Sequence, residues 1–183
     1  FDELVTDNVI YQQRTKDVGV ISSDLIQDYA LSGPVLRAAG VAHDVRKTEP
    51  YGGYDRFDFD VPVGQRGGDC FDRHTVRMEE MRQSLRIIDQ ALACLPDGPI
   101  MAAKVPKRIR PPAGDHYFAV ESARGHFGMF ITSDGTDIPV RHKLRTPSFV
   151  NVSTMPVVLP GTMLADTVAI LGSIDIVVPE IDR

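Results

Sequence analysis

The residue that stands out chemically is one carboxylate, Asp175, which lies inside the apolar run 171–178. Burying an ionised carboxylate is expensive unless a cation or hydrogen bonds compensate for the lost water. Asp175 is therefore a candidate functional residue that meets a cation or a polar cavity. The structural alternative is that Asp175 caps the end of a helix or faces solvent, and the sequence leaves both interpretations open.

Other groups lack the spacing that catalysis or metal binding requires. The five histidines form no HxxxH pair and the two cysteines no CxxC pair, so no metal site can be argued. Residues 64–68 lack the strand, lysine and hydroxyl of a phosphate-binding loop. Three serines, Ser148, Ser153 and Ser173, have no nucleophile-elbow context. The sequence thus predicts no catalytic residue and no bound metal in this chain.

Two basic clusters, in 104–110 and 141–145, raise the question of nucleic-acid binding. The formal net charge of −5 and the lack of interleaved aromatic residues argue against it. We expect these clusters to form a solvated face or a protein interface. No nucleic-acid partner is predicted.

The element expected to organise the fold is a long helix over 69–95. Apolar or bulky residues recur there at steps of three and four, at Phe71, His74, Met78, Met81, Leu85, Ile88, Leu92 and Leu95. Asp69 is the expected N-cap, and Pro96 with Gly98 ends the helix. We predict a core helix that packs on its apolar stripe, with its arginine-rich side turned to solvent, acidic neighbours or a partner.

The remaining pattern predicts an α+β fold. Residues 164–178 are apolar almost all round, which favours a second core helix buried on every side. Helices are expected over 1–16 and 23–31, and an extended segment or short strand over 57–61. Three strands, about 116–122, 126–133 and 139–144, are separated by turn signals that include Asp134-Gly135. The sequence therefore predicts mainly a helical bundle around two core helices, with a small antiparallel β-meander.

Length and composition fit one domain over 1–183. The chain is 43% hydrophobic and contains no apolar run long enough to span a membrane. The first residue is Phe1 rather than methionine, so we expect the chain to be part of a longer subunit. The two cysteines, Cys70 and Cys94, fall too far apart on the long helix to form a disulfide and are predicted to be free packing thiols.

Ordered motifs along the chain resemble one known family. They are SGPVLRAAG (32–40), DVRK (44–47), YGGYDRFDFD (51–60), RMEEMRQS (77–84), ESARG (121–125), SDG (133–135), RTPSF (145–149), SID (173–175) and IDR (181–183). Together they resemble the D subunit of respiratory complex I, the quinone-site subunit of NADH:quinone oxidoreductase. The resemblance runs through the whole chain and implies the C-terminal half of that subunit, with the N-terminal half absent.

That family is in turn similar to the large subunit of [NiFe] hydrogenases, which implies a similar fold here. Val177 and Glu180 stand where the hydrogenases carry a metal-binding CxxC pair. A valine and a glutamate cannot replace two thiolates, so hydrogenase chemistry is excluded in this chain. The resemblance implies instead that the emptied metal pocket is a quinone cavity, with Asp175, Val177, Glu180 and Arg183 at the cavity or near the iron–sulfur cluster.

The implied activity is that of a proton-translocating NADH:quinone oxidoreductase, with quinone as the substrate. The chain itself is expected to bind no cofactor, since the iron–sulfur cluster lies in the adjacent subunit and NAD is used elsewhere in the complex. The implied partners are the iron–sulfur (B-type) and C-type subunits and a membrane-arm subunit at the quinone entrance. The implied location is peripheral, on the cytoplasmic side of the cell membrane, and the isolated fragment is expected to be inactive.

Two alternatives stay open. The chain can be a non-catalytic scaffold domain of the same complex, because its charged surface and turns suit contacts with other subunits. It can also be the equivalent subunit of a related complex with another electron donor, such as a deazaflavin or ferredoxin, because some family members carry a longer insertion than 95–112.

Overall fold

Nine α-helices and one three-stranded sheet form residues 2–182, the part of the chain that the computed structural model describes. The helices are α1 (Val9–Thr15), α2 (Ser23–Tyr29), α3 (Pro34–Ala38), α4 (Val45–Thr48), α5 (Cys70–Ala93), α6 (Pro147–Val152), α7 (Met155–Val158), α8 (Asp166–Ile174) and α9 (Val178–Ile181). The mixed helix–sheet architecture confirms the predicted α+β content. Of the predicted site residues, Arg183 lies outside the described residues.

The sheet is the predicted antiparallel meander, β1 (Gly114–Ser122), β2 (Gly125–Ser133) and β3 (Arg141–Arg145), in the order β1-β2-β3. In β1 and β2 the register pairs Gly114 with Ser133 and Ser122 with Gly125. Helix α4 packs on β1 and α6 on β2. Local turn chemistry explains why the prediction succeeded, since Asp134 Oδ1 accepts a 2.9 Å hydrogen bond from the Thr136 N–H and closes the turn after β2.

The long helix begins as predicted. Asp69 is its N-cap and accepts a 2.7 Å hydrogen bond from the Asp72 N–H, which satisfies one of the free donors of the first turn. The Asp72 carboxylate in turn accepts bonds from the Arg66 and Gly68 N–H groups, which hold the preceding loop against the same turn. The start of α5 is thereby tied to the chain on its N-terminal side.

Two parts of the predicted orientation of α5 are wrong: the apolar stripe is not buried in the C-terminal half, and an arginine is buried in the N-terminal half. In the C-terminal half the apolar stripe is exposed, with Leu85 62% and Leu92 66% accessible, although the α1, α3 and α8 helices pack on α5. In the N-terminal half Arg73 is fully buried. Its donors bond to the carbonyls of Gly68 and Gly19 at 2.6 and 2.9 Å, which offsets the cost of burial.

The expectation of acidic neighbours is confirmed for the two arginines further along α5. Arg82 pairs with Asp2 and Glu79, and Arg86 pairs with Asp58 and Asp60. All four pairs are exposed and therefore contribute little to stability.

The core lies between the N-terminal helices and α8. Its buried members are Ile21, Ile26, Leu31, Val35, Leu36, Cys70, Val158, Ile170 and Ile174. Helix α8 was predicted to be buried on every side, but only one face is, because Val168 is 76% exposed while Ile170 is fully buried. Within residues 2–182, no helix combines the length and apolarity that crossing a bilayer needs.

Two smaller predictions differ from the structure, and a third agrees with it in one of its two alternatives. The N-terminal helix is interrupted, since a π-helical turn at Asp2–Thr6 is followed by α1, whose N-cap Asn8 accepts bonds from two backbone N–H groups. Residues 57–61 form no strand and follow the predicted extended-segment alternative, with Phe59 buried beneath the Arg46 and Lys47 cations. Cys94 is exposed rather than packed, whereas Cys70 is a buried free thiol.

The turn between β1 and β2 packs backbone to backbone against the loop before α3. A Cβ on Gly33 would lie 2.4 Å from Gly125 Cα and 2.5 Å from Arg124 O, and Gly33 has a φ of +69°. Only glycine satisfies both constraints. This contact fixes the sheet to the helical part of the fold.

We expect Gly33→Ala to lower the free energy of unfolding by about 2 kcal/mol or more, from backbone strain and overpacking together. Gly52→Ala is the matched control, because Gly52 has a φ of +56° but a Cβ added there would meet nothing within 4 Å. The control variant is expected to lose only the free energy that backbone strain costs, about 1 kcal/mol. Equal losses for the two variants in urea denaturation would contradict the close packing.

Candidate functional site

Asp175 is the residue directly after α8, and it is not buried. It is the helix C-cap, with left-handed backbone angles of φ 58° and ψ 56°, and its side chain is 46% exposed. Asp175 is therefore not buried inside the helix, and the capping alternative describes its backbone, while its carboxylate meets a cation, Arg124, as the first interpretation predicted. The reason is that the helix stops at Ile174, so the next residue turns the chain outward.

Arginines from two other elements hold this helix end. Arg77 of α5 donates to the carbonyl oxygens of Ser173 and Ile174 at 2.7 and 3.2 Å. Arg124, from the turn between β1 and β2, donates from Nε to the Asp175 carbonyl at 2.8 Å. Its Nη2 lies 3.4 Å from Asp175 Oδ2, a longer contact. The backbone around Asp175 is thus bound more closely than its carboxylate.

Asp175 and Arg77 line two cavities. One, of about 350 Å³, lies between α1, α5 and α8, and its other polar lining residues include Tyr11, His74 and Ser173. The second, of about 440 Å³, faces the charged residues Arg37, Glu80 and Glu121. In the first cavity, burial raises the pKa of Tyr11 and lowers the pKa of His74. Both shifts favour the neutral form of the group, so the lining of the first cavity contains fewer charged side chains than that of the second.

The second cavity is built around a buried arginine. Arg37 Nε lies 2.6 Å from Glu80, and its Nη1 lies 2.8 Å from Glu121 and 3.7 Å from Asp44. Asp44 also pairs with Arg46 at 2.6 Å. Burial opposes the charged form of Arg37, but the neighbouring carboxylates outweigh it and raise its pKa. Burial raises the pKa of Glu80 although Arg37 works in the opposite direction.

Val177 and Glu180 meet at one serine hydroxyl. The Val177 N–H donates to Ser148 Oγ at 3.2 Å, and Ser148 Oγ donates to the Glu180 carboxylate. Thr146 Oγ1 donates to the Glu180 carbonyl at 2.6 Å. The structure thus brings two of the predicted site residues together at the start of α6, while Asp175 lies on the α5 side with the arginines.

The histidines and cysteines offer no metal site among residues 2–182, where no cluster of three or more His, Cys, Asp or Glu side chains has suitable geometry. His74 Nε2 lies 3.0 Å from Thr6 Oγ1. The thiol of Cys70 accepts a bond from Arg73 at 3.2 Å. These groups are engaged in contacts within the chain.

Sequence reasoning missed Arg77, Arg124, Ser148 and Thr146 as parts of this site. Each contacts the tail from far along the chain, and Arg77 reaches a carbonyl that is 96 residues away. The sequence carried no separate signal for Arg77, because it belongs to the arginine-rich side of α5, which we expected to face solvent, acidic neighbours or a partner. Ser148 was considered only as a possible nucleophile, and the sequence around it lacks a nucleophile elbow.

Comparisons with known proteins agree on one family. The family model described as respiratory-chain NADH dehydrogenase, 49 Kd subunit, matches residues 1–110 and 103–183. The chain is 53% identical over 183 residues to the D subunit of the NADH-quinone oxidoreductase of Syntrophobacter fumaroxidans, covering 100% of this chain and 49% of the relative. It is 50% identical over 182 residues to the D subunit of the Desulforamulus reducens enzyme, again covering 100% and 49%. The chain therefore spans about half the length of the curated relatives it matches.

Proposed function

The chain belongs to the family of the 49 Kd subunit of respiratory-chain NADH dehydrogenase, and from that premise we propose that it forms one wall of a quinone-binding cavity in an NADH:quinone oxidoreductase. The enzyme would be the proton-translocating complex I. In this proposal the electrons reach the quinone from an iron–sulfur cluster in the adjacent subunit. The chain itself supplies shape, charge and hydrogen bonds.

The observation that carries the proposal is the position of Asp175. Its side chain is half exposed and lines two cavities, and Arg124 binds its backbone carbonyl more closely than its carboxylate oxygens. A carboxylate so placed can accept hydrogen bonds from a polar headgroup or from water, and its charge affects the potential of a nearby redox group. Asp175 would therefore tune the potential or hydration of the cavity.

The other tail residues take supporting roles in the proposal. Val177 would contribute to the apolar lining of the cavity, and its backbone is fixed by Ser148. Glu180 and Arg183 would make charged contacts near the cluster. Since the Glu180 carboxylate already accepts a bond from Ser148, its orientation is set before any partner binds.

The proposal includes a fold similar to the [NiFe] hydrogenase large subunit, in which the former metal pocket is the quinone cavity. It assigns no cofactor to this chain, while NAD is used elsewhere in the complex. The partners are the B-type and C-type subunits and a membrane-arm subunit at the quinone entrance. The chain would be peripheral, on the cytoplasmic side of the cell membrane.

We also propose that residues 1–183 form one domain whose exposed α5 face is covered in the longer subunit by the portion of the relatives that this chain does not match. The face consists of Met81, Leu85, Ile88, Leu92 and Leu95, all more than half exposed. Exposed apolar patches of this kind mark interaction surfaces. The isolated chain would then be inactive and prone to self-association.

We expect Leu85→Glu with Ile88→Glu to reduce self-association of the isolated chain, because charge on the face prevents apolar contact. The measurement is analytical ultracentrifugation over a range of concentrations. Ile138→Glu is the control, since Ile138 is 73% exposed but lies outside the face. An equal reduction by the control would show that general charge, not this face, governs association.

The exposed α5 face also favours a second candidate function, a scaffold domain that holds neighbouring subunits without affecting quinone chemistry. The equivalent subunit of a complex with another electron donor would use the same site. The deciding test is a charge-removing substitution of Asp175 in an assembled complex that still oxidises NADH. A loss of quinone reduction supports the cavity function, and unchanged quinone reduction supports the scaffold.

A further inference from the structure

Two arginines to which the sequence assigned no role surround the end of α8. We propose that Arg77 and Arg124 are positioning residues, which fix the backbone of Asp175 so that its carboxylate is presented where the two cavities meet. This inference rests on the proposed quinone function of Asp175. It identifies the residues that hold the Asp175 carboxylate in place.

The carbonyl groups at the end of α8 are bound by these two side chains. The last carbonyls of an α-helix have no partner within the helix. Here Arg77 binds the Ser173 and Ile174 oxygens, and Arg124 binds the Asp175 oxygen. A positive charge at this end also interacts favourably with the helix dipole. Both arginines therefore stabilise the point at which the chain leaves α8.

The backbone of Asp175 needs such support. Its φ of 58° lies in the left-handed region, which is unfavourable for residues other than glycine, although aspartate and asparagine tolerate it best. Such a conformation persists when surrounding contacts determine it. The contacts on either side of Asp175 come from the two arginines. Loss of either contact would let the residue move to other backbone conformations.

The guanidinium of Arg77 suits this task better than an ammonium would. Arg77 Nη1 donates to Arg73 O and Ser173 O at 2.9 and 2.7 Å, while Nη2 donates to Ile174 O. A planar guanidinium can hold three carbonyls in one fixed arrangement, whereas a lysine ammonium is a flexible point charge. Burial lowers the pKa of Arg77, and the charges of Asp175 and Glu80 counteract this. The charge of Arg77 is therefore partly compensated by groups that face the 440 Å³ cavity.

The carboxylate of Asp175 stays available although its backbone is held. Arg124 approaches the Asp175 carbonyl at 2.8 Å but its carboxylate oxygens only at 3.4 to 3.5 Å. A tight ion pair would have shorter charge-assisted bonds of about 2.7–2.9 Å. The carboxylate can therefore accept a hydrogen bond from a bound molecule or water while its backbone remains fixed.

The test uses membranes that carry the full-length subunit in an assembled complex, with Arg77→Lys and Arg124→Lys. Both variants keep the positive charge and remove the planar guanidinium with its several N–H donors. We expect the KM for a soluble ubiquinone analogue to rise about fivefold or more, while NADH oxidation by hexacyanoferrate, which accepts electrons upstream, is unchanged. Arg82→Lys is the matched control, because Arg82 lies on the same helix but is exposed. It is expected to leave both reactions unchanged.

A double variant distinguishes positioning from general stabilisation. If the arginines act through Asp175, then Arg77→Lys combined with Asp175→Asn is expected to differ less than about twofold from Asp175→Asn alone. Effects that multiply in the double variant would overturn the inference, as would arginine variants that behave like Arg82→Lys. A parallel fall of the hexacyanoferrate reaction would also overturn it, because the arginines would then maintain assembly. The proposed function itself fails only if Asp175→Asn leaves quinone reduction unchanged.

Discussion

Replacing Asp175 by asparagine in an assembled complex is expected to reduce quinone reduction about tenfold or more, which corresponds to roughly 1.4 kcal/mol of lost transition-state stabilisation. Asparagine keeps the size of the side chain and tolerates the left-handed backbone, so the substitution removes mainly the charge. The carboxylate lines both cavities. The measurement compares NADH:quinone reduction with NADH oxidation by an artificial upstream acceptor, which should stay unchanged.

Asp17→Asn is the matched control for this prediction. Asp17 is also a non-glycine residue with positive φ, 60°, and it also pairs with an arginine, Arg66, at 3.0 Å. It lines neither cavity at Asp175. We expect the control to preserve both reactions. Normal quinone reduction by the Asp175 variant would refute a role of this residue in the quinone site and favour the scaffold function.

The largest effect on stability is expected from Arg37→Met, about 3–5 kcal/mol of lost unfolding free energy. Methionine fills similar apolar volume but removes the cation that is shared by Glu80, Glu121 and Asp44. The side chains of Glu121 and Asp44 are only 4% and 1% exposed. Their charges would remain buried without Arg37, and its bond to the His43 carbonyl would also be lost. Urea denaturation at neutral pH measures the difference.

The same variant has an expected pH dependence. Burial already raises the pKa of Glu80, and Arg37 is the first of the charges that oppose this shift, so without Arg37 the folded-state pKa of Glu80 rises further. A raised carboxyl pKa costs stability at neutral pH, and this cost disappears when the pH falls below the unfolded-state value of about 4.3. We therefore expect the deficit relative to the wild type to shrink as the pH is lowered towards about 4.

Arg82→Met serves as the control for Arg37→Met. Arg82 pairs with Asp2 and Glu79, but the Arg82 side chain is 51% exposed and its partners are 47% and 40% exposed. Exposed pairs contribute about 0–1 kcal/mol, so the control should lose little. Similar losses for the two variants, or a deficit that is independent of pH, would contradict the explanation. The stability loss would then not come from buried carboxylates that have lost Arg37 as their partner.

Local features were predictable from the sequence. The N-cap Asp69, the Asp134-Gly135 turn and the order of the three strands depend on residues that are neighbours in the chain. The ordered motifs also identified the family, because they are distributed over the whole length. These predictions succeeded because capping and turn formation are decided within a few residues.

The tertiary structure alone decided which side of each helix is buried. The periodicity of α5 showed an apolar face, but the neighbouring helices cover only its first half, so Leu85 is exposed and Arg73 is buried. Periodicity measures which residues share a face and contains no information about what packs against that face. An arginine can occupy the interior when carbonyls from other segments accept its hydrogen bonds, and those segments are distant in the chain.

Asp175 also combines a feature that the sequence determined with features that only the tertiary structure decided. From the sequence it is a charged residue in an apolar run, and either burial or capping was compatible with that pattern. The end of α8 at Ile174 and the approach of Arg77 and Arg124 placed it at the surface of two cavities. The sequence by itself determined the family, the meander and the candidate residue. Only the tertiary structure decided its exposure and its partners, because contacts between segments 51 to 97 residues apart depend on the whole fold.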